Sequence, residues 1–230
     1  MTSRVSLLVA LALGALLLGA CRGGGKAETK VDAQQLLNAA ATRMDGVGSF
    51  HFELTQQNGA TPIMAGLEML SASGDVGGRD RQRLNIKGRF GTIPVQVNVV
   101  ILPDASYVSN PITGRWEKDT ISIASFFDPA NGVTALMRSV TDARITGTET
   151  LDGVPTHRVE ARIDSGKLAL FAAGAPAGRA LTARAWIGVD EPLVHRLEVE
   201  GGITAAEPQN LVRRLDFSRF GQDLIIAPPQ

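Results

Sequence analysis

Ser49-Phe50-His51-Phe52-Glu53-Leu54-Thr55 is the stretch on which the fold turns. Phe50, Phe52 and Leu54 alternate with His51, Glu53 and Thr55, so an extended chain here has one apolar and one polar face. Such a strand is covered on one side and wet on the other. The pattern recurs downstream. Ile63 to Ser71 is one candidate strand. Gln82 to Phe90 is another, with Leu84 and Ile86 opposite Arg83, Asn85 and Lys87. Val95, Val97, Val99 and Ile101 alternate with Gln96 and Asn98, Ser106 to Ser109 continues, and Pro111-Ile112-Thr113-Gly114 turns into Arg115-Trp116-Glu117. Arg144 to Leu151 turns at Asp152-Gly153 and returns from Thr156 to Ile163; Leu181 to Val189, Leu193 to Glu200 and Leu211 to Phe220 follow. About ten strands with so few helices between them predict an antiparallel meander.

The helical period of 3.6 shows in three places. Over Val31 to Asp45, Leu36, Leu37, Ala40 and Met44 form one stripe, with Asp32 in the first turn and Gly46 as the stop. Between Ile121 and Val140, Ile123, Phe126 and Phe127 make a short apolar turn ended by Asp128-Pro129. Asn131 can then cap a helix carrying Val133, Leu136, Met137 and Val140. Ser165 to Ala173, with Leu168 and Phe171, reads as a short apolar helix before the small residues Gly174 to Gly178. It is either a lid or a plain crossover. A large sheet with one apolar face and few helices to cover it gives an α+β fold, the helices lying on the apolar side.

The N-terminus carries a different signal. Arg4 precedes the apolar run Val5 to Leu17, and Leu18-Gly19-Ala20-Cys21 closes it. A basic start, a short apolar core and small residues before a cut site predict an export signal. The order Leu-Gly-Ala-Cys matches a bacterial lipobox, in which the Cys21 thiol receives a diacylglycerol. The alternatives are an ordinary signal with a chance cysteine, or a plain anchor helix. The expected organisation is a signal over residues 1–20, a lipidated Gly-rich tether over residues 21–30, and one domain over residues 31–230. A tether of this length reaches at most about 30 Å, and lipid on the only cysteine leaves no disulfide. The expected place is the outer face of the cytoplasmic membrane, held by acyl chains worth about 0.8 kcal/mol per buried methylene.

Composition narrows the partners. Lys plus Arg and Asp plus Glu stand at 23 each, a balance that argues against a nucleic-acid partner, which needs a concentrated basic face. Basic clusters at Arg79-Asp80-Arg81-Gln82-Arg83 and Arg213-Arg214 read as solvated strand edges. Catalytic signatures are missing from the sequence: there is no Gly-x-Ser-x-Gly elbow, no His-Glu-x-x-His, and no Gly-rich phosphate loop. His51, His157 and His195 each fall in strand patterns, and His195 shares its alternation with Leu193, Leu197 and Val199, as a partly buried imidazole would. No catalytic residue, metal site or cofactor is expected.

Several turn and strand signatures occur together: Leu102-Pro103-Asp104-Ala105-Ser106-Tyr107-Val108, Gly114-Arg115-Trp116-Glu117, Asp128-Pro129-Ala130-Asn131-Gly132, Leu151-Asp152-Gly153-Val154-Pro155-Thr156-His157 and Ala185-Trp186-Ile187-Gly188-Val189-Asp190. In order and spacing, from about Val31 to Phe220, they resemble the LppX/LprA/LprF/LprG family of mycobacterial lipoproteins. The resemblance implies a half-barrel: a strongly bent antiparallel sheet with helices on its concave side and an apolar cavity between. It also implies binding of acylated lipids or glycolipids and their movement across the envelope by a monomer, with an inner-membrane exporter as a further partner it allows. The competing readings are an interaction module or chaperone for other lipoproteins, and an envelope esterase. Expected lining residues are Phe126, Phe127, Val133, Leu136, Met137, Leu168 and Phe171.

Overall fold

A computed structural model describes residues 31–64, 66–78, 80–119, 132–168 and 175–229. The signal, the tether with Cys21, and the segment with Phe126 and Phe127 lie outside the described residues, as does Phe171. The chain from Val31 onward forms one compact unit. It opens with α1 (Ala33–Asp45), whose N-cap Asp32 accepts a hydrogen bond from the backbone N–H of Gln35 at 2.7 Å. Leu37, Ala40, Ala41 and Met44 form its buried stripe.

Twelve antiparallel strands follow as one open sheet. Seven come in a first run: β1 (Ser49–Gln57), β2 (Thr61–Met64), β3 (Leu67–Gly77), β4 (Gln82–Phe90), β5 (Ile93–Leu102), β6 (Ala105–Ser109) and β7 (Trp116–Asp119). After the helix α2 (Val133–Ser139) come β8 (Thr141–Leu151), β9 (Val154–Asp164), β10 (Ala180–Gly188), β11 (Val194–Glu200) and β12 (Val212–Ser218). The spatial order is β7-β6-β5-β4-β3-β1-β12-β11-β10-β9-β8, with β2 paired to β3. The stretch that first suggested a strand is therefore central, flanked by β3 and β12.

The register explains the half-barrel. One row crosses the sheet as Ile145, Val159, Ala185, Leu197, Leu215, Leu54, Ala72, Ile86 and Val97, each opposite the next. These apolar residues belong to the core that also takes in Leu37, Met44, Val133 and Met137 of the helices. The row below has Phe217, Phe52, Gly74, Leu84 and Val99. A Cβ at Gly74 would stand 2.6 Å from the Arg83 carbonyl oxygen and 3.0 Å from the Phe52 ring, so only glycine fits under that ring. Register shifts in β3, β8 and β11 add local twist, which helps an open sheet to curl.

From β8 to β12 the opposite face is ionic. Arg144, Glu160, Arg184, Glu198 and Arg214 are successive cross-strand partners from β8 to β12. Arg144 pairs with Glu160, Arg184 Nε donates to Glu160 Oε2 at 3.2 Å, and Arg214 Nε donates to Glu198 Oε1 at 2.7 Å. Beside the ladder, the Arg196 guanidinium stacks over Trp186 at 5.7 Å and donates to Asp216. Alternating signs between direct neighbours favour this register and disfavour a slip.

Four expectations are corrected. Ile63 to Ser71 is not one strand: Gly66 takes φ +79 and turns β2 back onto β3. The N-cap of α2 is Gly132 rather than Asn131, with no side-chain cap bond. Of the expected helix Ser165 to Ala173, the described part, Ser165 to Leu168, is a 3-10 turn, held by Asp164, whose Oδ1 accepts from Gly166 N and Oδ2 from Gly178 N, both at 2.8 Å, and residues 169–173 lie outside the described residues. Arg213 is not at a solvated edge, for it alternates with Leu215 and Phe217 on the inner face. The row account predicts that Leu215→Ala lowers the unfolding free energy by about 2–5 kcal/mol in denaturant titration, while Ile112→Ala, at a solvent-facing turn, changes it by less than about 0.5 kcal/mol.

Candidate functional site

Two cavities lie between the helices and the concave face. The first, about 50 Å³, runs under α2 toward β9–β12 and is lined by Leu37, Leu136, Val140, Val159, Ala161, Ile163, Ala183, Val199 and Leu215. The second, about 240 Å³, opens beside the α1–β1 link and is bordered by Met44, Asp45, Gly46, Gly48, Phe50, Val76, Gly78, Thr134 and Phe217. Val133, Met137 and Leu197 belong to both linings. Two residues of α2 and one of β11 therefore stand between two parts of one apolar space.

The cover is slight. α2 has only seven residues, too few for a helix to hold without tertiary support. Its anchorage is the burial of Val133 and Met137, together with an ion pair from Arg138 to Asp45 at the end of α1. α1 is itself tied to the β10–β11 turn by Arg43 and Glu191.

Of the expected lining residues, Val133 and Met137 border both cavities and Leu136 borders the first. Leu168 sits elsewhere. It is fully buried in a satellite cluster with Ile163, Leu181 and Ile203, where the 3-10 turn packs against the sheet end. The sheet side of the lining is not singled out by sequence alone. Strand period sends Val159, Leu197, Val199 and Leu215 inward, but only the topology brings β9 to β12 beneath α2.

A deeply buried ion pair stands at one end of this apolar space, with Arg213 on the border of the first cavity. Arg213 is 2% exposed and its partner Glu207 is 4% exposed. Arg213 Nη2 donates to Glu207 Oε1 at 2.6 Å, Nη1 to the Gly201 carbonyl at 3.2 Å, and Nε to Thr61 Oγ1 at 3.1 Å. Glu207 Oε2 accepts from Ile203 N at 2.7 Å. These bonds fasten the β11–β12 connection and β2 to the sheet, which gives the pair a structural role at the cavity's end. A second polar group on the concave face is Gln82, fully buried, with no hydrogen-bond partner for Nε2 or Oε1 among the described residues. Leaving such an amide unpaired costs about 1–3 kcal/mol.

The three histidines do not converge. His51 Nδ1 lies 2.7 Å from Asp75 Oδ1, and His157 Nδ1 lies 3.3 Å from Thr148 Oγ1. His195 is displaced from the alternation that sequence suggests: a bulge pairs Ile187 with Val194, so Val194 turns into the core and His195 packs edge-on against Phe220 at 5.5 Å. Burial pushes the His195 imidazole below the usual histidine range, and the carboxylates of Asp152 and Glu191 pull the other way. Among the described residues no cluster of His, Cys, Asp and Glu could hold a metal, and no helix is long and apolar enough to cross a membrane.

The sequence profile of the LppX_LprAFG lipoprotein family matches residues 32–222. The lipoarabinomannan carrier protein LprG of Mycobacterium tuberculosis is 24% identical over 193 residues, covering 80% of this chain and 79% of that one. The crystal structure of LprF from Mycobacterium bovis superposes with a TM-score of 0.68 at 18% identity, covering 86% of this chain and 96% of that one. That of LppX from Mycobacterium tuberculosis gives 0.60 at 21% identity, covering 85% and 100%. The two structures show the same half-barrel.

Two outcomes follow from the polar groups. Arg213→Met strands the Glu207 carboxylate and is expected to cost about 3–5 kcal/mol in denaturant titration, much of it regained in Arg213→Met combined with Glu207→Leu. For His195 the folded pKa lies below the unfolded one, so its stabilisation is fully present above the ordinary 6.5 and is lost as pH falls. Thermal unfolding at about pH 7.5 and about pH 5.5 should therefore show a smaller gap for His195→Gln than for the parent chain.

Proposed function

The chain belongs to the LppX_LprAFG lipoprotein family, and from that premise we propose that it is a lipid carrier anchored through Cys21 at the extracytoplasmic face of the membrane. The observation that carries this reading is the divided apolar space beneath α2, floored by the inner row of the sheet. A dry cavity forfeits contacts along its lining. Acyl chains entering it restore them, which gives the protein a reason to hold hydrocarbon.

Size sets how loading proceeds. Pockets for whole small ligands usually measure about 300–1,000 Å³, and the two cavities here measure about 50 and 240 Å³. The described arrangement is thus the contracted state of the carrier. Loading lifts α2, whose end lacks a side-chain cap, and swings the unbranched Met137 side chain aside so that the cavities join. The Cys21 anchor keeps the body within a tether's length of the bilayer from which acylated lipid or glycolipid is drawn.

Binding of pyrene-labelled dodecanoic acid, followed by fluorescence, tests the reading. The parent chain takes it up. Met137→Trp, which fills the wall between the cavities, weakens uptake at least about tenfold, while Ile225→Trp on the exposed tail leaves it unchanged. A folded Met137→Trp that binds like the parent contradicts the carrier reading. A parent chain that binds no probe points to the interaction-module alternative.

A further inference from the structure

Gln82 breaks the chemistry of the concave face. Its inward neighbours on β4 are Leu84 and Ile86, and its cross-strand partners are Val76 on β3 and Ile101 on β5. Within this hydrocarbon setting the carboxamide is fully buried, and both of its polar atoms lack a partner among the described residues. Interior amides are almost always bonded, so two bare atoms on one side chain call for a partner that arrives with something else.

The register says where that partner comes from. Residues directly opposite on one face have Cβ atoms about 5 Å apart, and Val76, the residue opposite Gln82, borders the larger cavity. This is also the more polar end of the apolar space. Asp45, Thr134 and Gly46 border it, whereas the smaller cavity is lined mainly by aliphatic side chains, with Arg184, Glu198 and Arg213 on its border each held in ion pairs.

We propose that Gln82 is the polar contact for the bound lipid and fixes its orientation. The inference rests on the carrier reading above and adds to it the class of cargo. Because Nε2 and Oε1 both lack partners, the ligand supplies an acceptor and a donor close together. An ester carbonyl accepts from Nε2, and a free hydroxyl on the same glycerol unit donates to Oε1. The cargo is then a partly esterified acylglycerol unit, its esters beside Gln82 and an acyl chain running under α2 toward Leu136. Pure hydrocarbon meets neither need and takes no benefit from Gln82.

The test uses the full chain held in amphipol and loaded with pyrene-labelled dodecanoic acid, which is then displaced by 1,2-dioctanoylglycerol or by hexadecane. Gln82→Met, close in length to glutamine, should weaken displacement by the glyceride about tenfold and leave that by hexadecane unchanged. Its thermal midpoint should match or exceed the parent's, since no protein hydrogen bond is lost. Gln82→Leu serves the same comparison if the methionine variant does not fold. A glyceride-to-hydrocarbon ratio equal in parent and variant overturns the role of Gln82 while leaving the carrier reading standing. A parent chain that takes up no pyrene-labelled acid brings down the carrier reading and this inference with it.

Discussion

A twelve-stranded sheet has one continuous apolar face, and among the described residues only a thirteen-residue and a seven-residue helix lie over it. That mismatch is the constraint behind the rest of the structure. A flat sheet would leave most of the row from Ile145 to Val97 in water. Bending brings the two ends of the row toward each other, so that α1 and α2 shield more of it than their own lengths could. Among the described residues the cover is still incomplete, and the remainder survives as apolar space around Val133, Met137 and Leu197.

Over β8 to β12 the outer face lets the sheet stand uncovered, whereas on β5 the outward Val100 and Leu102 are covered by Ile226 of the C-terminal segment. The ladder from Arg144 to Arg214 satisfies its charges laterally, strand to strand, while staying partly hydrated. Exposed pairs add little stability each, and their value here lies in register. A slip by one residue would place these charges among the aliphatics of the inner face. The ladder and the apolar row are thus two consequences of one alternation.

Much of this was legible in the residues. The clean alternation of Gln82 to Phe90 gave β4 its observed ends, and the pattern around Phe50 identified the central strand. The departures share a cause, which is that local pattern carries no information about partners distant in the chain. Arg213 shares its face with Leu215 and Phe217, but its burial depends on Glu207 and Thr61 arriving from two connections. The bulge at His195 is set by pairing with Ile187, and the place of Leu168 by Ile203. Phe126, Phe127 and Phe171 fall outside the described residues and stay as sequence expectations. That Gln82 faces inward follows from its period, whereas its lack of a partner emerges only from the assembled sheet.

The central claim is that the space under α2 exists to hold acyl chains. Native mass spectrometry of the body from Val31 onward, exported into a lipid-rich periplasm and purified without detergent, addresses it directly. The account predicts a population heavier than the bare chain by the mass of one acylated lipid, released by organic extraction. A single apo mass after such exposure would contradict it and leave the cavity as an imperfection of packing.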